Sequence, residues 1–156
     1  MTGGASRGQA GRSPLEKIAT AGRRVPGAAV TRHAGSGELI VAQGDDDANM
    51  FIIQSGTVEV RRHIGEQVVV LSRLQRGDFF GEMSLLESLP RTADVVAIQP
   101  TVLVELSAGA LLFRIRRDPT LAVEMLQKLS GRIRDLNAAL ADAAGGSNTP
   151  VVHDDI

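Results

Sequence analysis

GDFFGEMSLLESLPRTADVVA, residues 77–97, holds a Gly-Glu step, a short apolar run and Pro-Arg-Thr ahead of a β-branched segment. It sets a carboxylate, Glu82, and a guanidinium, Arg91, in one loop of otherwise apolar character. Charged side chains are seldom buried without a partner. Glu82 and Arg91 are therefore solvated turn residues, or partners of each other, or the walls of a site for something else.

The run MSLLES (83–88) is long enough for one or two helical turns. The first N–H groups of any helix lack an intrahelical acceptor and favour an anion. Arg91 follows about two helical turns later, and its planar fork matches two phosphate oxygens. An ionised Glu82 only accepts hydrogen bonds, so it suits a neutral hydroxyl beside the anion. One anionic group with one neighbouring hydroxyl describes a ribose phosphate.

Working outward, the chain upstream and downstream of this loop reads as short β runs broken by turns, from residue 28 to residue 106. LIVAQ (39–43) precedes Gly44-Asp45, and VVVLSRL (68–74) follows a turn at Gly65. MFIIQ (50–54) and TVEVRR (57–62) flank Ser55-Gly56, a two-residue hairpin signal. ADVVAIQ and TVLVEL meet at Pro100. Strands at this spacing, without long helices between them, predict an antiparallel sandwich or barrel. PLEKIATAGRRV (14–25) predicts a helix before the strands, with Pro14 in its first turn. After Ser107 the pattern turns helical: one short helix stops near Pro119, and a longer one covers 120–143. In the latter, Leu126, Leu129, Ile133, Leu136 and Leu140 form one apolar stripe. The expected architecture is mainly β, an antiparallel jelly-roll β barrel with an N-terminal helix and two C-terminal helices.

The 156 residues suit one domain with its own core. A net charge of −1 gives no strong field toward nucleic acid or an anionic membrane. No apolar run reaches membrane-spanning length. The chain has no Cys, which excludes disulfides and thiolate metal sites and is compatible with a reducing compartment. A cytoplasmic location is the expectation. GDDDANM (44–50) resembles a calcium loop only in part, since Met50 and Gly56 stand where such loops need Gly and Glu. It reads as a turn. His33 and His63 have no ligand-spaced neighbours and read as surface residues, so no metal is expected. RIRR (114–117) reads as solvated charge at a helix end, where cations are favoured. There is no Ser/His/Asp set and no metal cluster, and the chain reads as a non-enzyme.

The 77–97 segment is similar to the phosphate-binding cassette of cyclic nucleotide-binding domains, found in cAMP-dependent regulators, cyclic-nucleotide-gated channels and catabolite-activator-like factors. The resemblance covers roughly residues 15–141. GELIVAQGDDDANMFIIQSGTVEV (37–60) resembles the family's early barrel, and LSAGALLFRIRRDPTLAVEMLQKLSGRIRDLN (106–137) its terminal helices. It implies a cyclic nucleotide-binding domain over 14–142, between flexible tails at 1–13 and 143–156. It further implies that Glu82 binds the ribose 2′-hydroxyl and Arg91 the cyclic phosphate. Backbone groups at Gly81, Met83 and Ser84 would complete the cradle, and the Thr92 hydroxyl would reach phosphate or base. The ligand expected is cAMP, with cGMP second. Coupling is expected through the last helix, by a lid drawn from Arg132, Ile133, Arg134 or Leu136, or through a homodimer or partner protein on its leucine stripe. An interaction module with an idle pocket is the alternative. So is the effector part of a DNA-binding regulator, whose contact with nucleic acid would need a domain beyond this chain.

Overall fold

Residues 11, 13–15 and 29–145 are described by a computed structural model. Eight strands are present: β1 (Ala29–Ala34), β2 (Leu39–Val41), β3 (Met50–Ser55), β4 (Thr57–Ile64), β5 (Gln67–Gln75), β6 (Phe79–Phe80), β7 (Asp94–Ala97) and β8 (Thr101–Leu106). They make two four-stranded sheets, in the orders β1-β8-β3-β6 and β2-β7-β4-β5, with every pairing antiparallel. This is the jelly-roll arrangement expected from the sequence. A short helix α1 (Glu82–Glu87) lies between β6 and β7, and α2 (Ala108–Arg117) follows β8. The last helix, α3 (Thr120–Ala143), has the predicted bounds.

Alternation builds the core. Phe51 and Ile53 of β3, Val58 of β4, Phe80 of β6, Val95 and Ala97 of β7 and Leu103 of β8 meet in one buried cluster. Successive strand residues face opposite sides of a sheet. Met50 and Ile52 therefore point away from this cluster, yet they are fully buried too. β3 is thus covered on both faces, which explains why MFII is apolar without alternation.

The hairpin expected at Ser55-Gly56 does not form. β3 pairs with β8 and β6, while β4 pairs with β5 and β7, so the chain changes sheets at this point. Gly56 sits at φ +92°, and a Cβ there would lie 2.5 Å from the Pro100 carbonyl oxygen and 2.7 Å from Thr101 Cα. The glycine serves a tight corner where the 98–101 segment passes close by. The Gly65 turn does join a hairpin, β4 to β5, with Gly65 at φ +60°.

At the start of α2 the Ser107 side chain caps the helix, accepting the Ala110 N–H at 3.2 Å. Arg114, Arg116 and Arg117 fill its last turn, the favourable end for cations. Of the predicted N-terminal helix, Pro14 and Leu15 are helical and Leu15 is fully buried. Its remainder and most of both tails lie outside the described residues.

The fold divides after Leu121 into two units. In the second, Leu126, Ile133, Leu136 and Leu140 of the predicted stripe are each more than half exposed. No helix is long and apolar enough to cross a membrane among the described residues.

Candidate phosphate-binding site

The site is built where β6 ends. Phe79 and Phe80 are buried, and Phe80 stacks on Phe51 of the neighbouring strand with ring centroids 5.0 Å apart. The chain must then reverse at once. Gly81 makes the reversal at φ +86°, capping α1, and the Leu85 N–H donates to the Gly81 oxygen at 3.3 Å. The N–H groups of Glu82, Met83 and Ser84 form the first turn, where the helix offers no acceptor. Ser88 closes α1 in the left-handed region at φ 55°, donating its N–H to the Ser84 oxygen at 3.1 Å.

Pro90 then leads into Arg91, which is only 4% exposed. A buried guanidinium must be paired and hydrogen-bonded to be tolerated. Its Nη2 donates to Asp47 Oδ2 at 2.8 Å and to the Asn49 oxygen at 2.6 Å. Its Nη1 donates to the Gly81 oxygen at 3.2 Å, which ties it to the start of α1. The guanidinium carbon stands 5.8 Å from the Phe51 ring centroid, a cation–π contact. Nε is buried and has no partner among the described residues. Leaving a buried donor unmade costs roughly 1–3 kcal/mol. An acceptor at Nε would remove that cost, so the residue fits the anion the sequence pattern implies.

The main chain of Arg91 is held as firmly as its side chain. The Gly44 N–H donates to the Arg91 oxygen at 2.8 Å, and the Arg91 N–H to the Asp45 oxygen at 2.8 Å. The segment between β2 and β3 therefore grips this arginine at both ends. Burial raises the Asp47 carboxyl, but the Arg91 hydrogen bond and the N–H groups of Asn49 and Ala48 outweigh it, and the net direction is downward.

Gly81 and Arg91 are thus brought together, as the sequence suggested. Ser84 is buried, Glu82 is half-buried, Met83 is 43% exposed and Thr92 is exposed. The carboxylate paired with Arg91 is Asp47 rather than Glu82. Read as a turn, GDDDANM gives no sign that Asp47 and Asn49 hold Arg91, because that contact spans more than forty residues. His63, a surface residue by its sequence context, does have a partner. Its ring is half exposed, but Nε2 lies 2.6 Å from Asp94 Oδ2, a carboxylate 31 residues away.

A Cβ at Gly81 would lie 2.6 Å from Arg91 Nη1 and 2.8 Å from the Asn49 oxygen. Gly81→Ala is therefore expected to displace the guanidinium, besides straining the backbone by about 1–3 kcal/mol. A folded Gly81→Ala protein should lose anion affinity by at least about tenfold. Unchanged affinity in a titration would show that the arginine and the turn are not one unit.

The pattern of the cyclic nucleotide-binding domain matches residues 31–118, more than half of the chain. The cyclic AMP receptor protein of Thermus thermophilus is 37% identical over 105 residues, covering 67% of this chain and 49% of that protein. A cAMP-dependent protein kinase regulatory subunit of Mycosarcoma maydis is 38% identical over 90 residues, covering 56% of this chain and 17% of that one. The crystal structure of the Thermus thermophilus catabolite activator protein superposes with a TM-score of 0.67 at 34% identity, covering 74% of this chain and 55% of the other. The chain spans about half the length of the Thermus protein and a smaller part of the kinase subunit. By the matched pattern, the jelly roll and these relatives, the protein belongs to the cyclic nucleotide-binding domain family.

Proposed function

We propose that the chain is a cyclic-nucleotide sensor without catalytic activity of its own, taking cAMP ahead of cGMP. The observation that carries this is Arg91: a buried guanidinium, oriented by three acceptors, whose Nε–H has no partner among the described residues. In this reading Arg91 donates to the cyclic phosphate and the backbone of Gly81, Met83 and Ser84 completes the cradle. Glu82 accepts the ribose 2′-hydroxyl, and Thr92 offers its hydroxyl to phosphate or base. The names of the Thermus and Mycosarcoma relatives support cAMP as the ligand. Nucleotide binding alters the freedom of α3, whose exposed leucines would serve a second copy or a partner protein. By linkage, whatever α3 binds must change nucleotide affinity by the same factor.

A second reading has one observation in its favour. Asp47 already sits on the guanidinium, as expected of a module whose pocket is idle. A thermal melt separates the two. Ligand at about 100 times its dissociation constant adds roughly 2.7 kcal/mol to stability. The melting temperature should rise in millimolar cAMP, and amide exchange across 120–141 should change with it. A melt unmoved by cAMP and by cGMP favours the idle pocket.

Glu82 makes a smaller contribution than Arg91, because its contact is to a neutral hydroxyl. Glu82→Gln keeps an acceptor there and should weaken cAMP by about tenfold or less. It should also shrink the preference for cAMP over 2′-deoxy-cAMP. If Glu82→Gln leaves that preference intact, Glu82 does not touch the sugar.

A further inference from the structure

Three side chains join the ends of three strands on the side of the fold where the 43–49 segment enters the site. Asp94, first residue of β7, accepts the Gln43 N–H on Oδ1 at 2.7 Å and meets His63 Nε2 with Oδ2 at 2.6 Å. The Gln43 side chain closes the circuit on the main chain of His63. Its Oε1 accepts the His63 N–H at 2.8 Å, and its Nε2 donates to the His63 oxygen at 3.2 Å. Gln43 thereby acts as a short substitute strand beside the end of β4. The next residue, Gly44, is the one whose N–H holds the Arg91 oxygen.

We infer that His63, Asp94 and Gln43 form a proton-sensitive clamp that fixes the 43–49 segment and thereby tunes the affinity of the Arg91 site. The inference rests on the proposed nucleotide reading for its effect on affinity, though not for the clamp itself. Histidine is the side chain that changes charge within the physiological pH range. With a proton, His63 gives Asp94 a charge-assisted bond; without it, the pair is a neutral-donor or repulsive contact according to tautomer. Asp94 bridges His63 to the segment, because its other oxygen accepts the Gln43 N–H. Tightening the pair therefore tightens the start of the segment that carries Asp45, Asp47 and Asn49, all three bonded to Arg91. A site held in its binding geometry spends less on ordering when ligand arrives.

The surroundings leave few competitors for this role. Opposite His63 on β5 is Val68, which is uncharged. Gln43 is neutral, and Asp94 is the carboxylate on β7. Arg61, on the same strand as His63, acts electrostatically on Asp94 and favours its ionised form. Burial raises the Asp94 carboxyl, but the Gln43 N–H and the His63 ring outweigh it, so Asp94 is the charged member. The pair is partly exposed, with side-chain exposures of 50% for His63 and 18% for Asp94. Its effect is therefore that of a surface ion pair, a factor of about two to five.

The test uses the whole chain, His63→Gln and Asp94→Asn at pH 6 and pH 8. Asn at 94 keeps an acceptor for the Gln43 N–H, while removing the charge and replacing the oxygen that faces His63 with an amide donor. Amide exchange across 43–49, corrected for its intrinsic pH dependence, is read without ligand. Protection in the parent should be higher at pH 6, and the difference should vanish in both variants. The dissociation constant for cAMP should be about two- to fivefold lower at pH 6 in the parent and level in the variants. Parent-like pH dependence of protection in His63→Gln overturns the clamp. Responsive protection beside pH-independent cAMP affinity overturns its link to the site. Absence of cAMP binding at either pH defeats the nucleotide reading instead, and the exchange measurement still decides the clamp.

Discussion

Arg91→Ala is expected to weaken cAMP binding by about two to three orders of magnitude. In the proposed role the guanidinium, only 4% exposed, would neutralise a phosphate where water barely reaches. Charge-assisted hydrogen bonds of this kind contribute about 1.5–3 kcal/mol each. Each 1.4 kcal/mol is tenfold in affinity, so two such bonds at the weaker end of that range, about 3–4 kcal/mol together, give two to three orders of magnitude. Arg91→Lys should restore only part of the loss. An ammonium keeps the charge but cannot hold Asp47, Asn49 and Gly81 while presenting a further donor at the Nε position. Both variants must first be shown folded, since removing Arg91 leaves Asp47 without its partner. A folded Arg91→Ala protein binding cAMP within a few-fold of the parent would return Arg91 to a structural role, pinning the 43–49 segment to α1.

Gly56→Ala is expected to destabilise the fold by about 3 kcal/mol or more, with little change in the site itself. The positive φ of +92° costs an alanine on the order of 1–3 kcal/mol. The added methyl also meets Pro100 and Thr101, which are main-chain neighbours on the 98–101 segment and cannot swing aside as a side-chain tip would. Thr101 is 2% exposed, and its hydroxyl donates to the Gln99 oxygen at 2.9 Å, so this crossing has little slack. Overpacking at such a point costs roughly a further 1–3 kcal/mol. The melting temperature should fall on the order of 10 °C. A Gly56→Ala protein melting with the parent would mean that the crossing relaxes, contrary to the geometry described.

The two glycines also show what can be read from a sequence and what cannot. Gly81 was legible because it stands in a cassette whose order, Gly-Glu, helix, Pro-Arg, has a chemical reason at each step. Gly56 was legible as a turn but not as a corner. Ser-Gly between two apolar runs carries the same local signal whether the strands pair with each other or leave for different sheets. That choice is made by distant partners, here β8 about fifty residues from β3 and β7 some thirty to forty residues from β4. The helices were easier, because periodicity and caps are local: α2 follows its cap at Ser107 and α3 fills 120–143, as the pattern required. Within the site, Arg91 was read from its neighbours in sequence. Its partners were not, since Asp47 and Asn49 arrive from another loop, 44 and 42 residues away. A separation of 31 residues hid His63 and Asp94 from each other in the same way. Composition can say that a buried guanidinium needs an acceptor, but only the pairing of strands says which one.

The central claim, that Arg91 and the start of α1 form a nucleotide phosphate site, is tested most directly by calorimetric titration of the intact chain with cAMP and, separately, cGMP. Saturable heat with one nucleotide per chain, stronger for cAMP, is the predicted result. No measurable heat from either nucleotide up to millimolar concentration, in protein shown to be folded, would contradict it.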